Sequence, residues 1–137
     1  MKELSIEAKV ENLNDVLGFI TGELEAAGCS VKLQKQIKIA AEEIFVNIAC
    51  YAYSPATGEA AVRVSVDDRI TVEFEDKGVP YNPLEKTDPD TSLSTEEREP
   101  GGLGIFIVKK IMDTVEYRRD ESRNILTIKK HLDKTSK

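Results

Sequence analysis

Apolar and polar residues alternate at the start of the chain and then recur with a longer period, which predicts a strand followed by two helices. Within residues 2–10, the apolar side chains of Leu4, Ile6, Ala8 and Val10 alternate with polar ones, as in half-buried strands. From Leu13 the apolar side chains recur every three or four positions, and Gly28 is suited to end this first helix. A longer second helix is predicted between an N-cap at Ser30 and the Ser-Pro pair at 54–55. Its buried face is predicted to contain Leu33, Ile37, Ala40, Ala41, Ile44, Ile48 and Tyr51.

The second half of the chain returns to alternation and contains one more helix. Two alternating segments, 62–66 and 70–76, flank a turn and predict a hairpin. Residues 79–100 contain four of the five prolines and almost no apolar periodicity, so we expect a long loop of the kind that forms a lid or a binding segment. A third helix is predicted for the segment IFIVKKIMD, and two last strands are expected at 114–119 and 124–130.

The order of these elements argues against a doubly wound parallel sheet and indicates an α+β fold. Strands and helices follow one another as β-α-α-β-β-loop-α-β-β, which is too uneven for regular β-α units. We expect a two-layer α/β sandwich in which a mixed, mostly antiparallel sheet is covered on one face by helices. The 137 residues fit one domain, so we predict a single domain over residues 1–137, with a lid at about 79–100.

Composition and charge exclude several classes of protein. The formal net charge of -6 argues against a nucleic-acid-binding surface, which needs clustered Lys and Arg. The sequence has no stretch of about 18 apolar residues and does not open on a basic segment followed by an apolar one, so we expect a soluble, cytoplasmic protein without a membrane partner. Cys29 and Cys50 lack CxxC spacing and His131 is the one histidine, so neither a zinc nor a redox motif is predicted. Both thiols are interpreted as reduced and structural.

One polar side chain interrupts the apolar end of the second helix. In the segment IFVNIACYAY, which starts at Ile44, Asn47 is the one side chain that is neither apolar, small nor aromatic. Glu43 lies one turn earlier, at the same edge of the apolar face of the helix. A buried amide without partners costs roughly 1–3 kcal/mol, so these two groups either bond within the protein or turn toward a polar ligand. For this segment alone, hydrogen bonds within the protein are the more common explanation.

Two further patterns favour a ligand. Asp76 has the inward parity of the apolar residues of its strand and ends that row beside Gly78. Gly101, Gly102 and Gly104 open the third helix, where free N–H groups and the positive end of the helix dipole suit a phosphate. Taken alone, the Asp76 pattern more often marks an Asp that caps a turn, and the glycine pattern more often marks an ordinary helix start. Together they place a Glu-x-x-x-Asn helix, an Asp-x-Gly strand end, a lid-sized loop and a glycine-rich helix start in that order.

This order of motifs resembles the GHKL superfamily of ATP-binding domains, and within it the stand-alone bacterial anti-sigma-factor serine kinases. The N-box is matched by EEIFVNIACYAY, the first glycine box by EDKGVPYNP and the second by EPGGLGIFIVKKIMD, with the lid between the last two. The likeness spans nearly the whole chain. It implies a histidine-kinase-like fold in which ATP, with Mg²⁺, is held between the sheet and the helices.

The resemblance implies a role for each matching residue. Asn47 would ligate Mg²⁺ through its amide oxygen, and Glu43 would act as general base toward an incoming hydroxyl. Asp76 would accept a hydrogen bond from the adenine amino group, while Gly78 would let the backbone approach the base. The nucleotide-binding set also contains the helix start, whose N–H groups would line the phosphates: Gly101, Gly102, Leu103 and Gly104.

The sequence departs from the family pattern at two places. Tyr51 stands where relatives often carry His after the N-box asparagine. Val79 and Pro80 stand where many members of the superfamily have a further glycine, although the closer kinase-like relatives commonly look like this chain. In the lid, Lys86 and Arg98 are the cations that could reach a γ-phosphate.

The resemblance implies an ATP- and Mg-dependent anti-sigma-factor serine/threonine protein kinase, which binds a sigma factor and phosphorylates an antagonist protein. We also expect a homodimer. Two alternatives stay open: a nucleotide-gated module that sequesters its partner without phosphorylating it, and a small ATPase whose Glu43 activates water.

Overall fold

A computed structural model describes residues 1–53, 56–85 and 102–132 of the chain, and within them it contains three α-helices and one five-stranded sheet. The helices are α1 (Leu13–Ala26), α2 (Val31–Asn47) and α3 (Gly102–Ile111). The strands are β1 (Lys2–Glu7), β2 (Glu59–Val66), β3 (Arg69–Asp76), β4 (Thr114–Asp120) and β5 (Arg123–His131). Their order in the sheet is β1-β2-β3-β5-β4, and each neighbouring pair is antiparallel. The predicted α+β class is confirmed.

The hydrophobic core lies between the helices and the inner face of the sheet. Alternate residues of β3, namely Ile70, Val72 and Phe74, are buried in this core together with the apolar faces of α1 and α2. The other parity of the strands is polar: the Arg63 guanidinium on β2 bonds a glutamate on β1 and another on β3, at 2.7 and 3.0 Å. The sheet therefore has one apolar and one charged face, as the alternation predicts.

The predicted helix boundaries are confirmed where a local signal defines them. Ser30 caps α2, because its hydroxyl oxygen accepts a hydrogen bond from the Leu33 N–H at 3.1 Å. Gly28 follows the end of α1 with a φ of +79°, a left-handed conformation that favours glycine. Cys29, beside it, is a free, buried thiol, and burial raises its pKa. Cys50 is free and exposed.

The first strand is shorter than the alternation predicts. β1 ends at Glu7, which pairs with Glu59, the first residue of β2. The Ala8 N–H still donates to the Gly58 carbonyl at 2.8 Å, and the chain then turns away in a short 3₁₀ segment. Because the pairing partner ends there, Val10 is exposed instead of inward as predicted.

The end of α2 contains a wide helical turn that positions the pocket described below. Residues Ile48–Ala52 form a π-helical turn, which carries more residues than an α-helical one and so shifts the positions after it around the axis. Tyr51 is consequently 49% exposed, and the prediction that it belongs to the buried face is wrong. Ala52 is buried in its place, and its carbonyl accepts a hydrogen bond from the Val79 N–H at 3.0 Å.

None of the helices in the described ranges combines the length and the apolar character needed to cross a bilayer.

Candidate nucleotide-binding site

A pocket lies between the C-terminal part of α2 and the inner face of the sheet. The pocket and its open mouth hold about 430 Å³ of empty space. Aliphatic and aromatic side chains form most of its wall, and the polar groups that reach it belong to Asn47, Asp76, Tyr81, Tyr117 and Asn124. A mostly apolar slot with a few polar groups suits a flat heteroaromatic ring, whose faces are apolar and whose edge carries hydrogen-bonding atoms.

Asp76 lies at the inner end of this pocket, where β3 ends. Its side chain is 5% exposed, as the inward parity of the strand predicts. One carboxylate oxygen, Oδ1, accepts hydrogen bonds from the Gly78 N–H and from the Asn124 side-chain amide, each at 2.9 Å. In the described part of the chain no donor bonds the second oxygen, Oδ2. A buried carboxylate that lines a pocket thus keeps an acceptor for a ligand.

Gly78 is needed where the segment after β3 meets the end of α2. A Cβ at this position would lie 2.2 Å from the Ala52 carbonyl oxygen, far inside any allowed contact. The close approach lets the next N–H, that of Val79, bond the same carbonyl. The structure therefore gives Gly78 a packing role, while its predicted approach to a base stays a prediction.

Tyr53 also holds the segment after β3. Its hydroxyl donates to the Glu59 carbonyl at 2.6 Å and accepts from the Lys77 N–H at 2.7 Å. Burial raises the pKa of this phenol, so the hydroxyl stays protonated and able to donate at neutral pH. The end of β3 is thus tied to the start of β2.

Glu43 and Asn47 belong to the part of α2 that faces the pocket or lies next to it. Asn47 lines the pocket and is half-buried, and Glu43 is half-buried one helical turn earlier. The Glu43 carboxylate lies against Gly104, near the start of α3: a Cβ at position 104 would be 2.1 Å from Oε2. The structure thus brings together the N-box glutamate and the second glycine box, which are far apart in the sequence.

Part of the predicted site lies outside the described residues. This is the case for Gly101, and for most of the predicted lid with its cations Lys86 and Arg98. Gly102 begins α3, and Leu103 follows it in the first turn of this helix.

Tyr51 borders the pocket although it does not enter the core. Its ring centroid lies 6.3 Å from that of Tyr81, which lines the pocket, and the two rings are tilted by 33°. The residue that stands in place of the family's usual histidine therefore extends the aromatic edge of the pocket.

The sequence prediction missed Asn124 and its neighbours on β4. Asn124 is 6% exposed and pairs directly with Asp76 in the β3–β5 register. It shares the parity of the buried Leu126 and Ile128, so it ends an inward-facing row just as Asp76 does. That signal was present in the sequence, but the pairing of β3 with β5 was not.

No group of three or more His, Cys, Asp or Glu side chains in the described ranges could hold a metal ion.

The fold and the pocket define a class of protein. The family described as "Histidine kinase-like ATPase domain" matches residues 6–130, and the chain belongs to this family. The resemblance to GHKL domains is thereby confirmed, and membership implies that the domain uses ATP.

Two named relatives indicate which members of the family this chain is similar to. The chain is 29% identical over 132 residues to "Serine-protein kinase RsbW" of Bacillus cereus (strain AH187), an alignment that covers 93% of this chain and 82% of that protein. It is 26% identical over 105 residues to "Serine/threonine-protein kinase BtrW" of Bordetella bronchiseptica (strain ATCC BAA-588 / NCTC 13252 / RB50), covering 74% of this chain and 73% of that one.

A solved structure supports the fold. The histidine kinase domain from the Erythrobacter litoralis EL346 blue-light activated histidine kinase superposes with a TM-score of 0.58 at 20% sequence identity. The match covers 90% of this chain and 63% of that one.

Proposed function

We propose that the chain is an ATP- and Mg²⁺-dependent protein serine/threonine kinase of the anti-sigma-factor type. It binds a sigma factor and transfers the γ-phosphoryl group of ATP to a hydroxyl of an antagonist protein. The observation that carries the proposal is the contact between the Glu43 carboxylate and Gly104, because it joins a potential base to the glycine-rich helix start. The similarity to RsbW and BtrW supports the choice of a protein acceptor. The homodimer stays a prediction.

The adenine ring and the phosphates of ATP would occupy opposite ends of the site. Asp76 would accept a hydrogen bond from the adenine amino group at the inner end of the pocket. The N–H groups at the start of α3, at Gly102, Leu103 and Gly104, would face the phosphates, where the positive end of the helix dipole stabilises anions. Gly101 would belong to the same set.

Asn47 fits the role of a magnesium ligand. It lines the pocket, it is only half-buried, and no hydrogen bond of its side chain is seen within the described residues. Its amide oxygen is a hard, neutral donor of the kind that Mg²⁺ accepts. The ion, when bound, would neutralise charge on the triphosphate.

Glu43 would act as the general base. It would accept the proton of the acceptor hydroxyl while the hydroxyl oxygen bonds the γ-phosphorus and the bond from that phosphorus to the ADP oxygen breaks. Its position beside Gly104 and one helical turn from Asn47 supports this role. Since phosphoryl transfer depends mainly on positioning and charge, we expect the base to contribute only part of the rate enhancement.

The test replaces Glu43 by glutamine, which keeps the size of the side chain and removes the proton acceptor. In single turnover at saturating MgATP, phosphate incorporation into the antagonist protein should fall by about 10²–10⁴, while ATP binding persists. Glu42→Gln is the matched control, because Glu42 is the preceding residue of the same helix and is exposed to solvent. It should transfer at the wild-type rate.

Other results would separate the alternatives. Equal rates for Glu43→Gln and wild type would refute the assignment of the base. Release of inorganic phosphate at the same rate with and without the acceptor would favour a small ATPase. A wild-type chain that binds a sigma factor and the antagonist but transfers no phosphate would favour the sequestering module.

A further inference from the structure

Asn124 connects β3, β4 and the segment after β3 at the inner end of the pocket. Its Nδ2 group donates to the Asp76 Oδ1 atom at 2.9 Å and to the Val79 carbonyl at 2.8 Å. Its Oδ1 atom accepts from the Arg119 guanidinium at 3.1 Å and from the Tyr117 hydroxyl. Both N–H groups and the oxygen of this buried amide are therefore used.

The neighbours of Asn124 determine which way its amide points. The Asp76 carboxylate and the Val79 carbonyl can only accept hydrogen bonds, whereas the Arg119 guanidinium can only donate them. A rotated amide would direct its oxygen at two other oxygens and its NH₂ group at a guanidinium. Asn124 consequently presents N–H groups to Asp76 in the folded protein.

This amide also restrains the Asp76 carboxylate. Oδ1 takes both the Asn124 and the Gly78 hydrogen bonds, so rotation of the carboxylate would break two contacts at once. Arg119 donates to the Gly78 carbonyl at 2.9 Å as well, which holds the backbone of the same segment. The oxygen that stays available to a ligand is Oδ2.

We propose that Asn124 is a positioning residue that sets the base selectivity of the pocket. By holding Oδ1, it leaves Oδ2 as a fixed acceptor for the exocyclic amine of a 6-aminopurine. A purine with a carbonyl oxygen at position 6 would bring an acceptor against an acceptor and would bind less well. This inference rests on the nucleotide site proposed above and adds a residue to it.

Loss of Asn124 is expected to reduce selectivity more than it reduces binding. Without the side-chain amide, the Asp76 carboxylate keeps only the Gly78 hydrogen bond and can rotate or bond water. Contacts of the apolar walls with the ring do not depend on the group at position 6. ATP should therefore lose more affinity than ITP, which carries a carbonyl in place of the amine.

The experiment measures the dissociation constants of ATP and ITP for the full chain in the presence of Mg²⁺, by titration calorimetry. We expect the wild type to favour ATP by roughly tenfold or more, the worth of one hydrogen bond to a charged acceptor. Asn124→Ala should lose most of this preference. Asn124→Ser, whose hydroxyl can replace one of the two donors, should give an intermediate ratio.

A control variant separates selectivity from stability. Ile128 lies on β5 beyond the pocket and is completely buried, so Ile128→Val should lower the thermal midpoint and leave the ATP-to-ITP ratio unchanged. Asn124→Ala should lower the thermal midpoint and also reduce the preference for ATP over ITP. A purely structural Asn124 would behave like the control.

An unchanged ratio in folded Asn124→Ala would overturn the inference. If that variant does not fold, an unchanged ratio in Asn124→Ser would do so. A wild-type chain that binds neither nucleotide would refute the proposed nucleotide site and this inference with it. A wild-type chain that binds both nucleotides equally would agree with the proposed nucleotide site and refute the selectivity.

Discussion

Replacing Gly104 by alanine should strongly slow phosphoryl transfer without unfolding the protein. The new Cβ would lie 2.1 Å from Oε2 of Glu43 and 2.8 Å from its Cδ. These atoms form the end of a flexible, half-buried side chain, so the collision can be relieved when the carboxylate moves. The proposed base would then leave the start of α3.

The effects on stability and on rate differ in size. Gly→Ala within a helix stabilises by about 1 kcal/mol, and an unfavourable rotamer of Glu43 costs roughly 0.5–1.5 kcal/mol. These terms nearly cancel, so the thermal midpoint should change by no more than about 3 °C. Loss of a general base lowers the rate by about 10²–10⁴, equivalent to roughly 3–5 kcal/mol in the barrier.

The assay combines a melting curve with single-turnover transfer to the antagonist protein at saturating MgATP. Gly22→Ala is the control, because Gly22 lies in α1, is exposed, and its new Cβ would meet no atom within 4 Å beyond its own helix backbone and chain neighbours. This variant should be slightly more stable and fully active. Wild-type transfer by Gly104→Ala would refute the reasoning, and so would a loss of stability large enough to unfold it.

Three other substitutions test the rest of the site. Asp76→Ala should weaken ATP binding by roughly 1.5–3 kcal/mol, about tenfold to a hundredfold, and unchanged affinity in calorimetry would remove this residue from the site. Asn47→Ala should weaken nucleotide binding measured with Mg²⁺ and spare binding measured with EDTA; equal losses would contradict the ligand role. Gly78→Ala places a Cβ 2.2 Å from the backbone oxygen of Ala52, which cannot rotate away, so a melting curve should show a clear loss of stability. Wild-type stability would contradict that packing role.

The polar groups of the site differ in burial. Asp76 and Asn124 are buried and bonded to each other, and a Cβ at Gly78 would collide with the Ala52 carbonyl. Glu43 and Asn47 are half-buried. Closely held groups suit recognition of a flat base, whereas groups that act on a transferred phosphoryl must accommodate a second substrate.

Features that depend on neighbouring residues could be predicted from the sequence alone. Alternation predicted which residues of β3 face inward, including Asp76, because side chains of a strand alternate between its two faces. The caps at Gly28 and Ser30 were predictable because each acts within one helical turn. The order of the motifs was sufficient to indicate the family.

The contacts between distant residues could not be predicted from the sequence and are seen only in the folded chain. Asn124 carries the same inward parity as Asp76, but no local pattern states that β3 pairs with β5 in the register that places them opposite each other. The contact between Glu43 and Gly104 likewise depends on how α3 packs beside α2. Tyr51 was misplaced because a single π-helical turn shifts every later side chain around the axis. Such contacts arise from the packing of whole elements. Each residue contributes only a little to that packing, so the sequence around it does not reveal the contact.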